Sequence, residues 1–267
     1  MMLVSVCPMA VRWMTSGAYY LVALIMMLLA KWVHRDISVG NIILVKDEDG
    51  EWTGRVSDLE YAREFDSTPR GHKDPKTVIQ ISRCAAFVVA KFPQGTPFFM
   101  PWEVHSRRRL INPAPPSDSI FDFLSASSSP RVVHIAGEQW PPFYRYDYDL
   151  ESLWWILLWA CLFCVSSDRD DSAHNLGFRI FTYTSQPSID RTDVMQTPPN
   201  AQIQQSVPPQ LVRFIHGLHI SLYHSYATAP NNVNSYLEGI HYQFWHGLNE
   251  MQQCVNAMGD IKLCNLE

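Results

Sequence analysis

The sequence lacks the excess of basic residues that nucleic-acid binding requires. Lys and Arg number 21 against 26 Asp and Glu, so the formal net charge is -5, and the pI is near 6.0. A basic stripe along one face is the usual electrostatic signature of a nucleic-acid-binding domain. The short run from Arg107 to Arg109 indicates only a local, solvated patch. We therefore expect no nucleic-acid partner.

Cysteine is also scarce. Six cysteines spread over 267 residues do not make the disulfide framework of a small secreted protein. Cys161 and Cys164 form the one C-x-x-C pair, but they lie inside the apolar run "ESLWWILLWACLFCV", without a second pair of zinc ligands. We interpret them as buried core thiols and expect an intracellular protein, cytoplasmic or nuclear.

No apolar run near the start of the chain has the length of a membrane span. The longest there, "GAYYLVALIMMLLA" from Gly17 to Ala30, has 14 residues, whereas a spanning helix needs about 20. No small-residue cleavage site follows it, so it does not resemble a signal peptide. This run predicts a buried helix of a soluble domain, and we expect no membrane partner.

The length and the hydrophobic content of 47% suit one globular domain. The predicted domain spans residues 17–260 after an N-terminal extension of residues 1–16. Three further helices are predicted, the first apolar nearly all round with Asp149 as its N-cap; they cover residues 149–165, 210–226 and 233–258. Proline- and serine-rich composition predicts loop insertions, located near residues 63–94, 112–148 and 184–209. The fold class is therefore α+β and mainly helical, with a short β-hairpin.

The hairpin is predicted from residues 42–62. The octet "HRDISVGN" (residues 34–41) leads into the apolar strand 42–45, Asp49-Gly50 marks a tight turn, and residues 55–62 return. Asp36 and Asn41 then precede the first strand, while Asp58 lies on the returning arm. We therefore expect these three polar side chains to meet in space.

Their spacing has a chemical reason. H-R-D-x-x-x-x-N is the spacing of the protein-kinase catalytic loop, in which the aspartate orients an acceptor hydroxyl and accepts its proton, and the asparagine binds Mg²⁺. Asp36 and Asn41 fit this spacing. Asp58, in Asp58-Leu59-Glu60, stands where the metal-binding aspartate of D-F-G is expected. Glu60 replaces the glycine and removes its freedom to adopt positive φ.

Four segments in the same order resemble the fungal-type protein kinase family over roughly residues 20–260. They are "HRDIS.GNI", "DLE.A", "GT.FM..EV" and "DLESLWWILLW". The resemblance implies ATP and Mg²⁺ as cofactors and transfer of phosphate to Ser/Thr hydroxyls of a protein substrate. It implies Asp36 as the catalytic residue and Asn41 and Asp58 as the residues that bind the metal and the nucleotide.

The resemblance also implies supporting residues. His34 and Arg35 pack the loop, Thr96 contacts it, Glu103 stands at the glutamate of A-P-E, and Asp149 accepts backbone hydrogen bonds from the loop. Pro101-Trp102-Glu103 departs from A-P-E at two positions. The oligomeric state is not predicted.

The 33 residues before His34 contain no Gly-rich loop, no V-A-I-K lysine and no partner glutamate helix. We therefore expect the kinase N-lobe to be largely absent and the chain alone to be a poor kinase. The alternative is a non-catalytic kinase-lobe fragment or pseudokinase that serves as a binding module. A small-molecule phosphotransferase of the aminoglycoside type is a more distant alternative, against which "GT.FM..EV" and "DLESLWW" argue.

His216, His219 and His224 resemble a metal set, because residues 216 and 219 share a helix face. No carboxylate or cysteine lies beside them at helical spacing. We therefore expect them to be structural.

Overall fold

A computed structural model describes residues 20–46, 48, 52–64, 96–111, 144–165, 172–182, 184–228 and 233–258, with the side chains of residues 52, 53, 96 and 233–238 left out. The strands are β1 (Trp32–Val33), β2 (Ile42–Lys46), β3 (Trp52–Val56) and β4 (Arg63–Glu64). The helices are α1 (residues 20–29), α2 (Thr96–Phe99), α3 (Trp102–Ser106), α4 (Tyr146–Phe163), α5 (Ser172–Ile180), α6 (Ile189–Gln196), α7 (Ala201–Ser206), α8 (Pro209–Thr228) and α9 (Val233–Ala257).

Two small antiparallel sheets frame the polar octet. β2 pairs with β3 from Ile42 opposite Val56 to Lys46 opposite Trp52. β1 pairs with β4, with Trp32 opposite Glu64. β1 precedes the octet, and β4 follows residues 57–62, which contain Asp58. The pairing of β1 with β4 and of β2 with β3 therefore brings residues 34–41 and 57–62 side by side.

Helix α4 lies at the centre of the helical part. Nearly all of its 18 residues are buried, as expected for a helix that is apolar around most of its circumference. It packs against α2, α5, α8 and α9. The Trp154 indole N–H donates to the backbone carbonyl of Ile215 in α8, at 2.9 Å.

Helices α8 and α9 pack against each other through regularly spaced apolar residues. In α9 the buried positions recur every three or four residues; they are Ile240, Phe244, Leu248, Met251 and Val255. This spacing places them on one face, which is the pattern of an amphipathic helix.

The predicted mainly helical α+β class is confirmed, and the predicted hairpin and long helices are present with ends shifted by a few residues. The returning strand ends at Val56, before Asp58. The tight turn and most of the first two predicted insertions fall outside the described residues.

Two predictions were wrong. Residues 184–209 are not a loop insertion, because α6 and α7 lie there with Ser188 and Asn200 as N-caps. Asp149 is not an N-cap either, since α4 begins at Tyr146. Ser188 and Asn200 each follow a proline, and the N-cap of α4 is Arg145, which makes no side-chain capping bond, so the usual sequence signals of a helix start are masked or missing.

The inner face of the apolar run is buried, with Tyr20, Leu21 and Leu24 in the core. Within the described part of the chain, no helix combines the length and the apolar character needed to cross a membrane. Cys161 and Cys164 are buried, and burial raises the pKa of the Cys161 thiol to about 12.

Candidate functional site

The loop of residues 34–41 is fixed to α4 by a single carboxylate. The Asp149 Oδ2 atom accepts the His34 backbone N–H at 2.7 Å, and Oδ1 accepts that of Arg35 at 2.9 Å. The Tyr144 hydroxyl donates to Oδ1 at 3.2 Å. Burial raises the pKa of Asp149, while these hydrogen-bond donors oppose the rise. These are the bonds that the resemblance implied for Asp149.

Two successive backbone amides reach one carboxylate because the chain turns sharply at Arg35. Its φ of 74° lies in the left-handed region, where non-glycine residues are uncommon. The Arg35 guanidinium lies over the Tyr144 ring, 5.7 Å from its centroid, which is within cation–π range. The loop is therefore held by both the backbone and the side chain of Arg35.

Asp36 and Asn41 contact each other across the loop. The Asn41 Nδ2 atom donates to the Asp36 backbone oxygen at 2.9 Å and to the Asp36 Oδ2 atom at 3.0 Å. A short 3₁₀ turn, Val39–Asn41, places Asn41 for these bonds. Because Nδ2 is directed at Asp36, Oδ1 is the amide atom of Asn41 that can face a cation.

His34 connects the loop to the end of β3. It is fully buried. Its Nε2 atom lies 2.9 Å from the Ser57 carbonyl oxygen, and its Nδ1 atom lies 3.3 Å from the Asp36 backbone nitrogen. A carbonyl only accepts and a backbone N–H only donates. These partners together select the neutral tautomer with the proton on Nε2.

Asp58 follows directly after this connection. The Ser57 N–H donates to the Asn41 carbonyl at 2.9 Å, so the residue before Asp58 is tied to the last residue of the loop. Asp58 itself is exposed, with φ 62° and ψ 60°, a left-handed conformation that aspartate tolerates better than most residues. The structure therefore brings Asp36, Asn41 and the Asp58 backbone into one region.

Glu60 does not strain this segment. It lies in the 3₁₀ turn Leu59–Tyr61 and is not among the described non-glycine residues with positive φ. The replacement of glycine at this position is therefore compatible with the conformation seen here.

Glu103 joins α3 to α4. The Glu103 Oε2 atom accepts the Tyr148 hydroxyl at 2.6 Å, and Oε1 accepts the Leu110 N–H at 2.7 Å. Burial raises the pKa of the Glu103 carboxyl. Thr96 begins α2, but its side chain lies outside the described side chains, so its predicted contact with the loop stays a prediction.

Sequence reasoning missed a group of buried polar residues around α4. Glu151 and Arg191 are both fully buried, and Arg145 forms an ion pair with Asp147. Their signal in the sequence is "YDYDLESLWW", where three acids interrupt an apolar run. Acidic residues are seldom buried unless they are paired, so such a run indicates partners elsewhere in the chain.

The donor set fits Mg²⁺. Asn41 offers an amide oxygen and Asp58 an exposed carboxylate, and Mg²⁺ prefers oxygen ligands. Among the described residues, no cluster of three or more His, Cys, Asp or Glu residues could hold a metal ion. Mg²⁺ does not require one, because it is usually bound by one or two carboxylates together with substrate phosphates and water. His216, His219 and His224 are not part of such a cluster.

In the comparisons with known proteins, a family model matches part of the chain. No curated protein and no solved structure shows a significant match to the chain. The family model described as fungal protein kinase matches residues 22–161, which are 140 of the 267 residues. The match includes the octet, Asp58, Glu103 and nearly all of α4 with Asp149. The chain belongs to the fungal protein kinase family.

Proposed function

We propose that this chain is the C-terminal lobe of a kinase fold and transfers phosphate from Mg·ATP to Ser/Thr hydroxyls of a protein acceptor, at the low rate expected of this lobe alone. The observation that carries the proposal is the pairing of Asp36 with Asn41 in a loop held by Asp149. Phosphoryl transfer depends mainly on positioning and on electrostatic stabilisation. A loop held at its first residues by Asp149 and at Asn41 by Ser57 supplies that positioning.

Asp36 orients the acceptor hydroxyl and accepts its proton. One oxygen of its carboxylate, Oδ2, accepts the Asn41 amide at 3.0 Å, which restricts the rotation of the carboxylate. General-base catalysis of this kind contributes about 10²- to 10⁴-fold to the rate. His34 does not act as a base, because its two ring nitrogens are used to hold Ser57 and the Asp36 backbone.

Asn41 and Asp58 would hold Mg²⁺, which on binding neutralises charge on the phosphate oxygens. The Asn41 amide presents Oδ1 because its Nδ2 is bound to Asp36. Asp58 lies two residues after the end of β3, with a left-handed backbone and an exposed side chain whose carboxylate is accessible to a cation. Both residues are thereby held beside Asp36 by the backbone bonds of Ser57 and Asn41.

Nucleotide binding is tested by titrating Mg·ATP into the purified chain and following its thermal stability. We expect a rise in Tm at millimolar nucleotide, because a ligand that binds only the native state stabilises it. No rise would contradict a nucleotide site formed by this chain and would favour a non-catalytic binding module.

The role of Asp36 is tested by Asp36→Asn with a basic, serine-containing protein as acceptor. We expect kcat to fall by about 100-fold or more, with KM for Mg·ATP nearly unchanged. Asp190→Asn makes the same chemical change in α6, where Asp190 forms a partly exposed ion pair with Arg179, and should keep the full rate. Equal rates for wild type and Asp36→Asn would remove Asp36 from the mechanism.

A further inference from the structure

The segment that links α2 to α3 is held from two sides by buried ionisable groups. We name residues 98–102 the α2–α3 turn. The Trp102 backbone N–H donates to the Glu151 Oε1 atom at 2.6 Å. Arg191 donates to the carbonyl oxygens of Phe98 and Met100 at 2.5 and 2.6 Å. Three backbone groups of one five-residue turn are therefore satisfied by two side chains.

Glu151 has further donors. The Trp155 indole N–H reaches Oε1 at 2.8 Å, and the Tyr226 hydroxyl donates to Oε2. The carboxylate thus joins the turn to α4 and α8. Burial raises the pKa of Glu151 to about 7, and these hydrogen bonds and the charge of Arg191 oppose the rise.

Arg191 is braced in turn. Its guanidinium lies 4.0 Å from the centroid of the Trp155 ring, and burial lowers its pKa to about 10. The next residue in α6, Thr192, accepts the Trp102 indole N–H at 3.1 Å. Helix α6 therefore contacts the turn through two consecutive residues.

Helix geometry relates this turn to the catalytic loop. Asp149 and Glu151 are two residues apart, and at 3.6 residues per turn their side chains point about 200° apart around α4. Asp149 holds the loop, and Glu151 holds the α2–α3 turn. One turn of one helix thereby fixes both segments on its opposite sides.

We propose that Glu151 and Arg191 are positioning residues that hold the α2–α3 turn in register with the loop that carries Asp36. Phe98 and Met100 in this turn pack against the core and stay partly exposed. If the proposed function holds, the acceptor segment binds beside this turn, and Glu151 and Arg191 set its distance from Asp36.

Amide hydrogen exchange measured by mass spectrometry tests the positioning role without requiring activity. In Glu151→Gln and Arg191→Met, exchange across residues 98–106 should rise by about tenfold or more, while residues 34–41 and 209–228 stay within about twofold of wild type. Arg191→Lys keeps the charge but not the forked geometry, so it should give a smaller rise.

Two further variants keep the test decisive. Glu250→Gln, an exposed glutamate in α9 paired with His246, is the matched control and should change nothing in residues 98–106. If Glu151→Gln or Arg191→Met fails to fold, Thr192→Val removes the bond to the Trp102 indole, together with the Thr192 hydroxyl bond to the Ser188 carbonyl inside α6, and should raise exchange in the turn by a few-fold. Unchanged exchange in residues 98–106, or an equal rise in all three segments, overturns the proposal.

Kinetics separate this inference from the proposed function. In an active chain, Arg191→Lys should raise KM for the protein acceptor about fivefold or more and leave KM for Mg·ATP unchanged. Equal changes in both constants would overturn the link to the acceptor. If wild type transfers no phosphate, the proposed function fails, and the exchange data alone decide whether Glu151 and Arg191 hold the turn.

Discussion

Asp149 and Glu151 show why some site residues could be predicted and others could not. Asp149 fits a family pattern, so its role was expected from the sequence. Glu151 has no such pattern, and its partners Trp102 and Tyr226 lie 49 and 75 positions away. Burial of a carboxylate depends on donors brought by the tertiary fold, and no local pattern in α4 encodes them.

His219 is a second buried group whose environment was not predicted. Its ring lies 4.6 Å from the Trp154 ring and is fully buried. Within the described residues, neither ring nitrogen makes a hydrogen bond of normal geometry. Burial lowers the pKa of His219 to about 3, and a Met195 backbone contact partly opposes the shift. The native protein therefore keeps this histidine neutral.

His219→Phe should consequently protect the protein against acid. Below pH 6.5 the unfolded chain protonates this histidine and the native state does not, so stability falls as the pH drops from about 6.5 toward 3. The loss is about 2 kcal/mol between pH 6.5 and 5, at 1.36 kcal/mol per unit. We expect similar stability of variant and wild type at pH 7.5 and a more stable variant at pH 5.

Urea denaturation at the two pH values measures this difference. His246→Phe is the control, because its side chain is 59% exposed and needs no dehydration in the native state. His105 and Glu151 also titrate in the acid range, His105 in the same sense as His219 and Glu151 in the opposite sense. They are present in both proteins, so the difference isolates His219. An equal pH dependence of variant and wild type would contradict the assignment.

At the scale of elements, the sequence predicted the hairpin marked by a turn and the long helices, and it missed the short helices. The hairpin β2–β3 was predicted because an apolar strand leads into the Asp49-Gly50 turn, and α8 and α9 were predicted as long helical stretches. Helices α6 and α7 have eight and six residues, too few for a clear repeat. Their apolar residues Val194, Met195 and Ile203 are buried by contacts that the sequence does not show.

Asn200 is the residue that starts α7. Its Oδ1 atom accepts the backbone N–H groups of Gln202 and Ile203 at 3.0 and 3.2 Å. Its Nδ2 atom donates to the Asp193 carboxylate at 3.1 Å and to the Thr197 hydroxyl at 2.9 Å. This one buried side chain therefore caps α7 and ties it to the end of α6.

Asn200→Ala should lower the free energy of unfolding by about 2 kcal/mol, at the upper end for loss of an N-cap, because the buried side chain also loses its bonds to Asp193 and Thr197. Asn200→Asp keeps the cap acceptor and loses the two donated bonds, and it places a second charge near Asp193, so it should not restore full stability. Urea denaturation measures the stability of both variants.

Gln204→Ala, exposed in the same helix, is the control and should change stability by less than about 0.5 kcal/mol. Equal stability of Asn200→Ala and wild type would show that the cap is dispensable.

At the scale of the whole molecule, α4 connects parts of the chain that are far apart in sequence. Its Asp149 binds the loop of residues 34–41, its Tyr148 binds Glu103, and its Trp154 binds the backbone of α8. The apolar character of α4 predicted its central place, because a helix without a polar face has to be covered on all sides. What covers each side could not be predicted, since those contacts join segments separated by up to 115 positions.

The central place of α4 predicts that the loop of residues 34–41 and the α8–α9 pair unfold together. Residues 17–260 were predicted as one domain, and Trp154 tests this because it contacts both α8 and the core. Trp154→Phe removes the indole bond to Ile215 and leaves a small gap, which should lower the free energy of unfolding by about 2 kcal/mol. Far-UV circular dichroism and tryptophan fluorescence should still give coincident transitions, both shifted to lower urea.

Trp245→Phe, at a 37% exposed position in α9, should leave both unfolding curves almost unchanged. If Trp154→Phe instead splits the unfolding into two transitions, or shifts only one probe, the loop and the α8–α9 pair are separate cooperative units.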